Sequence, residues 1–167
     1  RFHSQEKLDR LMTPFNQPQN LRVLITGAAG NIGLCLRSQL RGRYALLRLA
    51  DIAPQEPAQA GEETCTMDVR DIESLERCME GIDCVIHLAG IPGADVWEKI
   101  LPMNIEGCYN VFEAARRQNV RRVIFASSNH AIGYHRREKF LDDTVQPRPD
   151  SLYGVSKVFG EGLGRMY

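Results

Sequence analysis

Leu21-Arg22-Val23-Leu24-Ile25, running into Thr26-Gly27-Ala28-Ala29-Gly30-Asn31-Ile32-Gly33, is the stretch that decides how this chain folds. The first five residues are a short apolar run of buried-strand type. From Asn31 to Leu40 the spacing becomes helical, with Ile32, Leu36 and Leu40 on one face. The glycines between follow Gly-x-x-Gly-x-x-Gly, a variant of the dinucleotide fingerprint with one more residue between its first two members. Gly27 supplies the tight turn, Gly30 lets backbone approach a pyrophosphate, and Gly33 permits close helix-to-strand packing. The helix start, with Asn31 and Ile32, offers unpaired N–H groups to the anion. Placed between strand and helix, the three glycines read as a nucleotide cradle rather than a mere turn.

The same alternation continues outward. Strands are predicted at 45–50, 63–67, 84–88 and 123–126, and helices at 71–79, 96–118 and from 152 onward. Asp71 is a natural N-cap, and Pro102 is expected to kink the long helix. Strands alternating with helices imply an α/β fold, a Rossmann-type doubly wound parallel sheet with right-handed crossovers. Such a fold usually has a sixth strand. The expectation is therefore a chain truncated before that strand and before a C-terminal substrate lobe. Residues 1–20 read as a disordered or tag-like lead, and 21–167 as one dinucleotide-binding domain of Rossmann type.

Composition excludes several classes. The 167 residues hold 21 basic and 21 acidic side chains, so charge gives no reason to expect nucleic acid or an anionic membrane as partner. No run approaches the roughly 20 apolar residues of a membrane span, and residues 1–20 lack a signal-peptide core. The expected location is cytoplasmic. Five cysteines lie scattered, Cys35, Cys65, Cys78, Cys84 and Cys108, without a Cys-x-x-Cys pair. That dispersal fits buried thiols better than a disulfide framework. No metal site is expected: Cys84 and His87 would point to opposite faces of a strand.

The chemistry is written in Tyr153-Gly154-Val155-Ser156-Lys157. A Tyr-x-x-x-Lys pair on a helix shares one face. The lysine ammonium can favour a phenolate whose unperturbed pKa of about 10 is otherwise useless near neutrality. Ser127 and Ser128 end the apolar run upstream. A hydroxyl, a tunable phenol, a lysine and a nucleotide cradle together describe a hydride-transfer site. Asp51 ends the second strand, beside Ile52. An acid there accepts hydrogen bonds from adenosine ribose hydroxyls and repels a 2′-phosphate, which favours NAD over NADP. Asp68 and Val69 can border the adenine, while Leu88, Ala89 and Gly90 are small enough to pass beneath the cofactor. For these two segments an ordinary loop explains the residues nearly as well.

Taken together, these residues resemble the extended short-chain dehydrogenase/reductase family, whose pattern is Gly-x-x-Gly-x-x-Gly, an acid after the second strand, Ser, and Tyr-x-x-x-Lys. The resemblance covers residues 21–167. It places Ser128, Tyr153 and Lys157 on the catalytic triad, with Lys157 also holding the nicotinamide ribose. Asn104 falls on the helical asparagine that organises the lysine's water relay. More narrowly, Ser127-Ser128-Asn129-His130 and the segment from Arg148 to Lys157 resemble the uronate dehydrogenases of that family. Dehydratases of the same fold carry an Asp-Glu pair where this chain has Asn129 and His130, so the chemistry of water elimination is missing.

The resemblance implies NAD-dependent oxidation of a hexuronic acid, galacturonate- or glucuronate-like, at C1 to an aldarolactone. Tyr153 would be the base, and Ser128, Asn129 and His130 would bind the sugar. For His130 a plain loop histidine is an equal reading. Pro92 departs from the pattern, since that group tends to have a substrate-contacting serine there. Two alternatives stay open: an NAD-dependent sugar-nucleotide epimerase or reductase, and an NAD-binding module without turnover. Apolar positions on both faces of the long helix (Ile100, Leu101, Ile105, Val111, Phe112) fit either a homodimer bundle, as in the family, or a core helix.

Overall fold

The computed structural model describes residues 17–167. The expected lead therefore lies outside the described residues up to position 16. Pro18–Asn20 forms a short 3-10 turn that feeds the first strand.

Five parallel strands form one sheet: β1 (Arg22–Thr26), β2 (Leu46–Asp51), β3 (Glu62–Thr66), β4 (Cys84–His87) and β5 (Arg122–Phe125). Their order across the sheet is β3-β2-β1-β4-β5. β1 is central, pairing with β2 from Arg22↔Leu46 and with β4 from Val23↔Cys84. Parallel strands need crossovers, and the helices that supply them cover both faces of the sheet. One core cluster gathers Leu24, Val85, Leu75, Met79 and Val111, and the other gathers Val23, Ile25, Leu47 and Leu49. Successive β1 residues alternate between the two clusters, as strand geometry requires. The order reverses between β1 and β4, where open α/β sheets leave a crevice at the carboxyl ends of their strands.

Helix α1 spans Asn31–Leu40, as its spacing predicts, but its buried face differs from expectation. Gly33 and Arg37 are its buried residues, Leu36 and Leu40 flank them, and Ile32 is 61% exposed. Ile32 sits in the first turn, where it faces the cavity at the carboxyl ends of the strands. Arg37 can be buried because its guanidinium holds Glu62, donating from Nη2 at 2.7 Å and Nε at 3.2 Å. Helix α2 (Ile72–Met79) starts on Asp71, whose carboxylate accepts from Glu73 N and Ser74 N and so satisfies two orphan donors.

The cysteine expectation needs correction. Cys65 on β3 and Cys78 on α2 form a disulfide, with Cα atoms 6.1 Å apart. A helix that follows its strand packs back on it and brings residues 13 apart to bridging distance, a proximity no Cys-x-x-Cys pattern announces. Cys35 is exposed; Cys84 and Cys108 are buried thiols, each pushed by burial up to about 11.

The long helix is continuous but not uniform. Helix α3 (Trp97–Ile100) passes into a π-helical segment (Leu101–Glu106) and then α4 (Gly107–Arg117). The expected kink at Pro102 is thus a widened turn, which accommodates a residue that cannot donate to the ladder. Ile100, Val111 and Phe112 are buried in the chain's own core. Helix α5 (Leu152–Met166) starts on Ser151, whose Oγ accepts from Gly154 N at 3.0 Å.

Candidate active site

A cavity of about 530 Å³ opens at the carboxyl ends of β1, β2 and β4. Its wall contains Gly27, Gly30, Asn31, Ile32, Gly33, Asp51, Ile52, Asp68, Val69, Leu88, Ala89, Gly90 and Pro92, each of them singled out from sequence. Ala29, Ala53, Met67 and Met103 complete it. They are small or apolar residues whose position depends on the turn and not on their own chemistry, so only their neighbours could have signalled them.

Each wall has a local cause. Gly27 has φ +72°, and a Cβ there would lie 2.8 Å from Ala89 N, so only glycine lets the β1 turn touch the β4 turn. A Cβ at Gly33 would overlap the backbone of Gly27 and Ala28, which brings α1 close against the turn. The first N–H groups of α1 have no helical carbonyl to receive them and border the cavity. The Asp51 carboxylate accepts from Ala29 N and Ala53 N, both at 2.9 Å, which fixes it at the rim between two turns. Asp68 is paired with Arg70 at 2.6 Å, and that hydrogen bond holds its carboxyl below the usual range. Val69 is held from behind, its carbonyl accepting from Asn110 Nδ2 at 3.0 Å.

The floor after β4 is pinned twice. The Thr26 hydroxyl accepts from Leu88 N at 3.2 Å and Ala89 N at 3.3 Å, and lies 2.8 Å from His87 Nδ1. Burial pushes His87 down to about 3, so the ring is neutral and its Nδ1 can accept the hydroxyl proton. Asn104, presented by the π-helical segment, accepts from Ile91 N at 2.8 Å and donates to Ile91 O at 3.0 Å. A Cβ on Gly90, at φ +145°, would press to 3.1 Å from the Asn104 Oδ1. Asn104 also reaches Ser156 Oγ at 3.4 Å, linking this floor to α5. Its amide is thus engaged in holding the post-β4 turn, a role the sequence does not reveal.

The chemical residues stand beside this cavity, at the end of β5 and the start of α5. Lys157 Nζ donates to Ala126 O at 2.8 Å and lies 4.9 Å from the Phe125 ring centroid and 5.3 Å from that of Tyr153. Burial lowers its pKa from the ordinary lysine value. Ser128 caps a 3-10 turn (Asn129–Ala131), accepting from His130 N at 3.2 Å. Ser128 Oγ also lies 3.3 Å from Asn129 Oδ1. The His130 ring meets the Tyr153 ring nearly at right angles, centroids 5.6 Å apart. A Cβ on Gly154 would overlap the His130 carbonyl, so the serine turn and the tyrosine helix touch through backbone. The structure therefore joins Ser128, Asn129, His130, Tyr153 and Lys157 into one cluster. Asp150, which holds His130 Nδ1 at 2.8 Å, belongs to it and was not singled out from sequence.

The donor set fits a dinucleotide. The glycines would leave room for a diphosphate, the first N–H groups of α1 border that space, and the Asp51 carboxylate is fixed at the rim. Among the described residues no helix is long and apolar enough to cross a membrane.

Comparison with known proteins agrees with this geometry. Residues 23–167 match the pattern of the NAD dependent epimerase/dehydratase family. The chain is 45% identical over 156 residues to a uronate dehydrogenase from Pseudomonas putida, spanning 93% of this chain and 56% of that protein. A solved structure of a uronate dehydrogenase mutant from Agrobacterium tumefaciens, complexed with NAD, superposes with a TM-score of 0.85 at 46% identity, over 88% of this chain and 56% of that one. A glucuronic acid dehydrogenase from Chromohalobacter salexigens gives a TM-score of 0.85 at 44% identity, over 88% and 55%. The chain thus spans little more than half the length of the relatives it matches.

Proposed function

The chain belongs to the NAD dependent epimerase/dehydratase family, and from that premise we propose that it carries the cofactor site and catalytic cluster of an NAD-dependent uronate dehydrogenase. The substrate is a hexuronic acid such as galacturonate or glucuronate, oxidised at C1 to the aldarolactone. The observation that carries this reading is the contact of the Ser128-Asn129-His130 turn with Tyr153, next to a cradle fixed by Asp51. That turn offers hydroxyl, amide and imidazole to a sugar, and no acid pair for dehydration.

NAD, when bound, supplies the hydride acceptor. Tyr153 takes the proton of the C1 hydroxyl as general base. Lys157, 5.3 Å from the Tyr153 ring, places positive charge beside the phenol and holds the nicotinamide ribose. Ser128 binds the same oxygen and steadies the developing carbonyl, while Asn129 and His130 bind sugar hydroxyls. Gly27, Gly30, Asn31, Ile32 and Gly33 cradle the diphosphate, and Asp51 with Ile52 takes the adenosine ribose. Asp68 and Val69 border the adenine, and Leu88, Ala89 and Gly90 form the floor. Pro92 lies in the cavity wall where a polar substrate contact is expected, so recognition there is by shape. Asn104 serves by holding the Ile91 backbone beneath that floor. A homodimer through the long helices is part of this reading. Trp97, Tyr109 and Val155 keep 42–45% of their surface exposed on those helices.

The test is direct. The intact protein should form NADH with NAD and galacturonate or glucuronate, and Tyr153→Phe should lose about 10²- to 10⁴-fold in kcat. Failure to form NADH with either acid, alongside turnover of a UDP-sugar, would overturn the proposal in favour of an epimerase.

A further inference from the structure

Among the described residues, the His130 ring is hydrogen-bonded from its Nδ1 edge only. Its Nδ1 lies 2.8 and 3.0 Å from the two oxygens of Asp150. The His130 hydrogen bond, first among several causes, holds the Asp150 carboxyl below its ordinary value. An ionised carboxylate can only accept, so the proton of this contact must sit on His130 Nδ1. In neutral imidazole that leaves Nε2 as an acceptor.

The carboxylate is itself located by its surroundings. Ser151 Oγ donates to it at 3.0 Å, and Asp150 N donates to His130 O at 3.2 Å. Gly133 lies against it so closely that a Cβ there would overlap the carboxylate. Arg148 N donates to Ala131 O at 2.9 Å, tying the same two segments a second time. Asp150 therefore grips the histidine while backbone holds the loop, and the imidazole stays partly exposed beside Tyr153.

We propose that Asp150 is a positioning residue that fixes His130 as the Nδ1–H tautomer, so that Nε2 accepts a hydrogen bond from a hydroxyl of the sugar acid bound beside Tyr153. The substrate assignment rests on the proposed uronate reading; the tautomer does not. A site tuned in this way discriminates by the hydroxyl, since an analogue lacking it leaves a desolvated acceptor unpaired.

The experiment uses the intact protein with ¹⁵N-labelled histidine and reads the His130 ring nitrogens by long-range ¹H–¹⁵N correlation. Read at a pH where the ring carries a single proton, the expected native result is that proton on Nδ1. Asp150→Ala should move the proton to Nε2 and raise KM for the uronate about 10- to 100-fold, with NAD affinity unchanged. Asp150→Glu, which keeps a carboxylate, should restore the Nδ1–H signal. A native His130 protonated on Nε2 overturns the proposal, even if Asp150→Ala fails to fold. So does a folded Asp150→Ala that keeps both the native tautomer and the native KM. If no uronate is oxidised at all, the functional reading falls while the spectrum still decides the tautomer.

Discussion

Glu62 has no exposed side-chain surface, and three groups hold it there: the Arg37 and Arg41 guanidinium groups and Gln59 N. The hydrogen bond from Arg37 leads in driving its carboxyl down to about 2, against the opposing effect of burial. A carboxylate held below its unfolded value adds stability that is complete above the unfolded pKa of about 4.5 and is lost as pH falls toward 2. Chemical denaturation followed between pH 6 and pH 2 should therefore show a loss of about 3 kcal/mol from this group. Glu62→Gln at neutral pH should cost about 3–5 kcal/mol, because it strands Arg37 without a charge partner. The sequence hides this pair. Its partners lie on different elements, and a polar residue on a helix reads as solvated until the sheet beneath it is built. The glycines of the cradle were legible because their spacing between a strand and a helix is a pattern within eight residues, and Gly27 has the positive φ that such a turn needs.

At the scale of elements, sequence reading succeeded where the signal was periodic or capped and failed where register changed. Helix α1 and the Asp71 cap of α2 stand where the spacing puts them. The π-helical segment was visible only as a proline, since nothing in Leu101-Pro102-Met103-Asn104 distinguishes a kink from a widened turn. Yet that turn presents Asn104 to Ile91. Asn104→Ala should leave a backbone donor and acceptor unpaired, at about 1–3 kcal/mol in thermal unfolding. NAD affinity measured by calorimetry should weaken with it, because Gly90 rests on the lost amide. Unchanged NAD affinity in a folded variant would show that the clamp supports the helix alone. The Cys65–Cys78 bridge between β3 and α2 was not legible either, for pairing across a crossover is a property of packing.

For the molecule as a whole, a parallel sheet was implicit in the alternation of elements, while the strand order β3-β2-β1-β4-β5 emerges only from how the units pack. Among the described residues, β5 pairs with β4 alone and forms one edge of that sheet. β5 alternates exposed and half-buried residues, and Ile124 is 49% exposed. An open parallel edge with apolar surface is a template for pairing with another chain. The isolated 167-residue chain should therefore self-associate in light scattering at micromolar concentration; a monodisperse monomer with a cooperative melt would contradict this. The parallel sheet has a second consequence. Cradle, carboxylate, floor and the proposed catalytic cluster all lie at the carboxyl ends of the strands, on the opposite side from the amino-end turns. Gly42, at φ +70° with nothing near its would-be Cβ, sits in one of these turns, between α1 and β2. An affinity tag or surface tether spliced in there would hold the molecule by its back, with the mouth of the cavity turned toward solution.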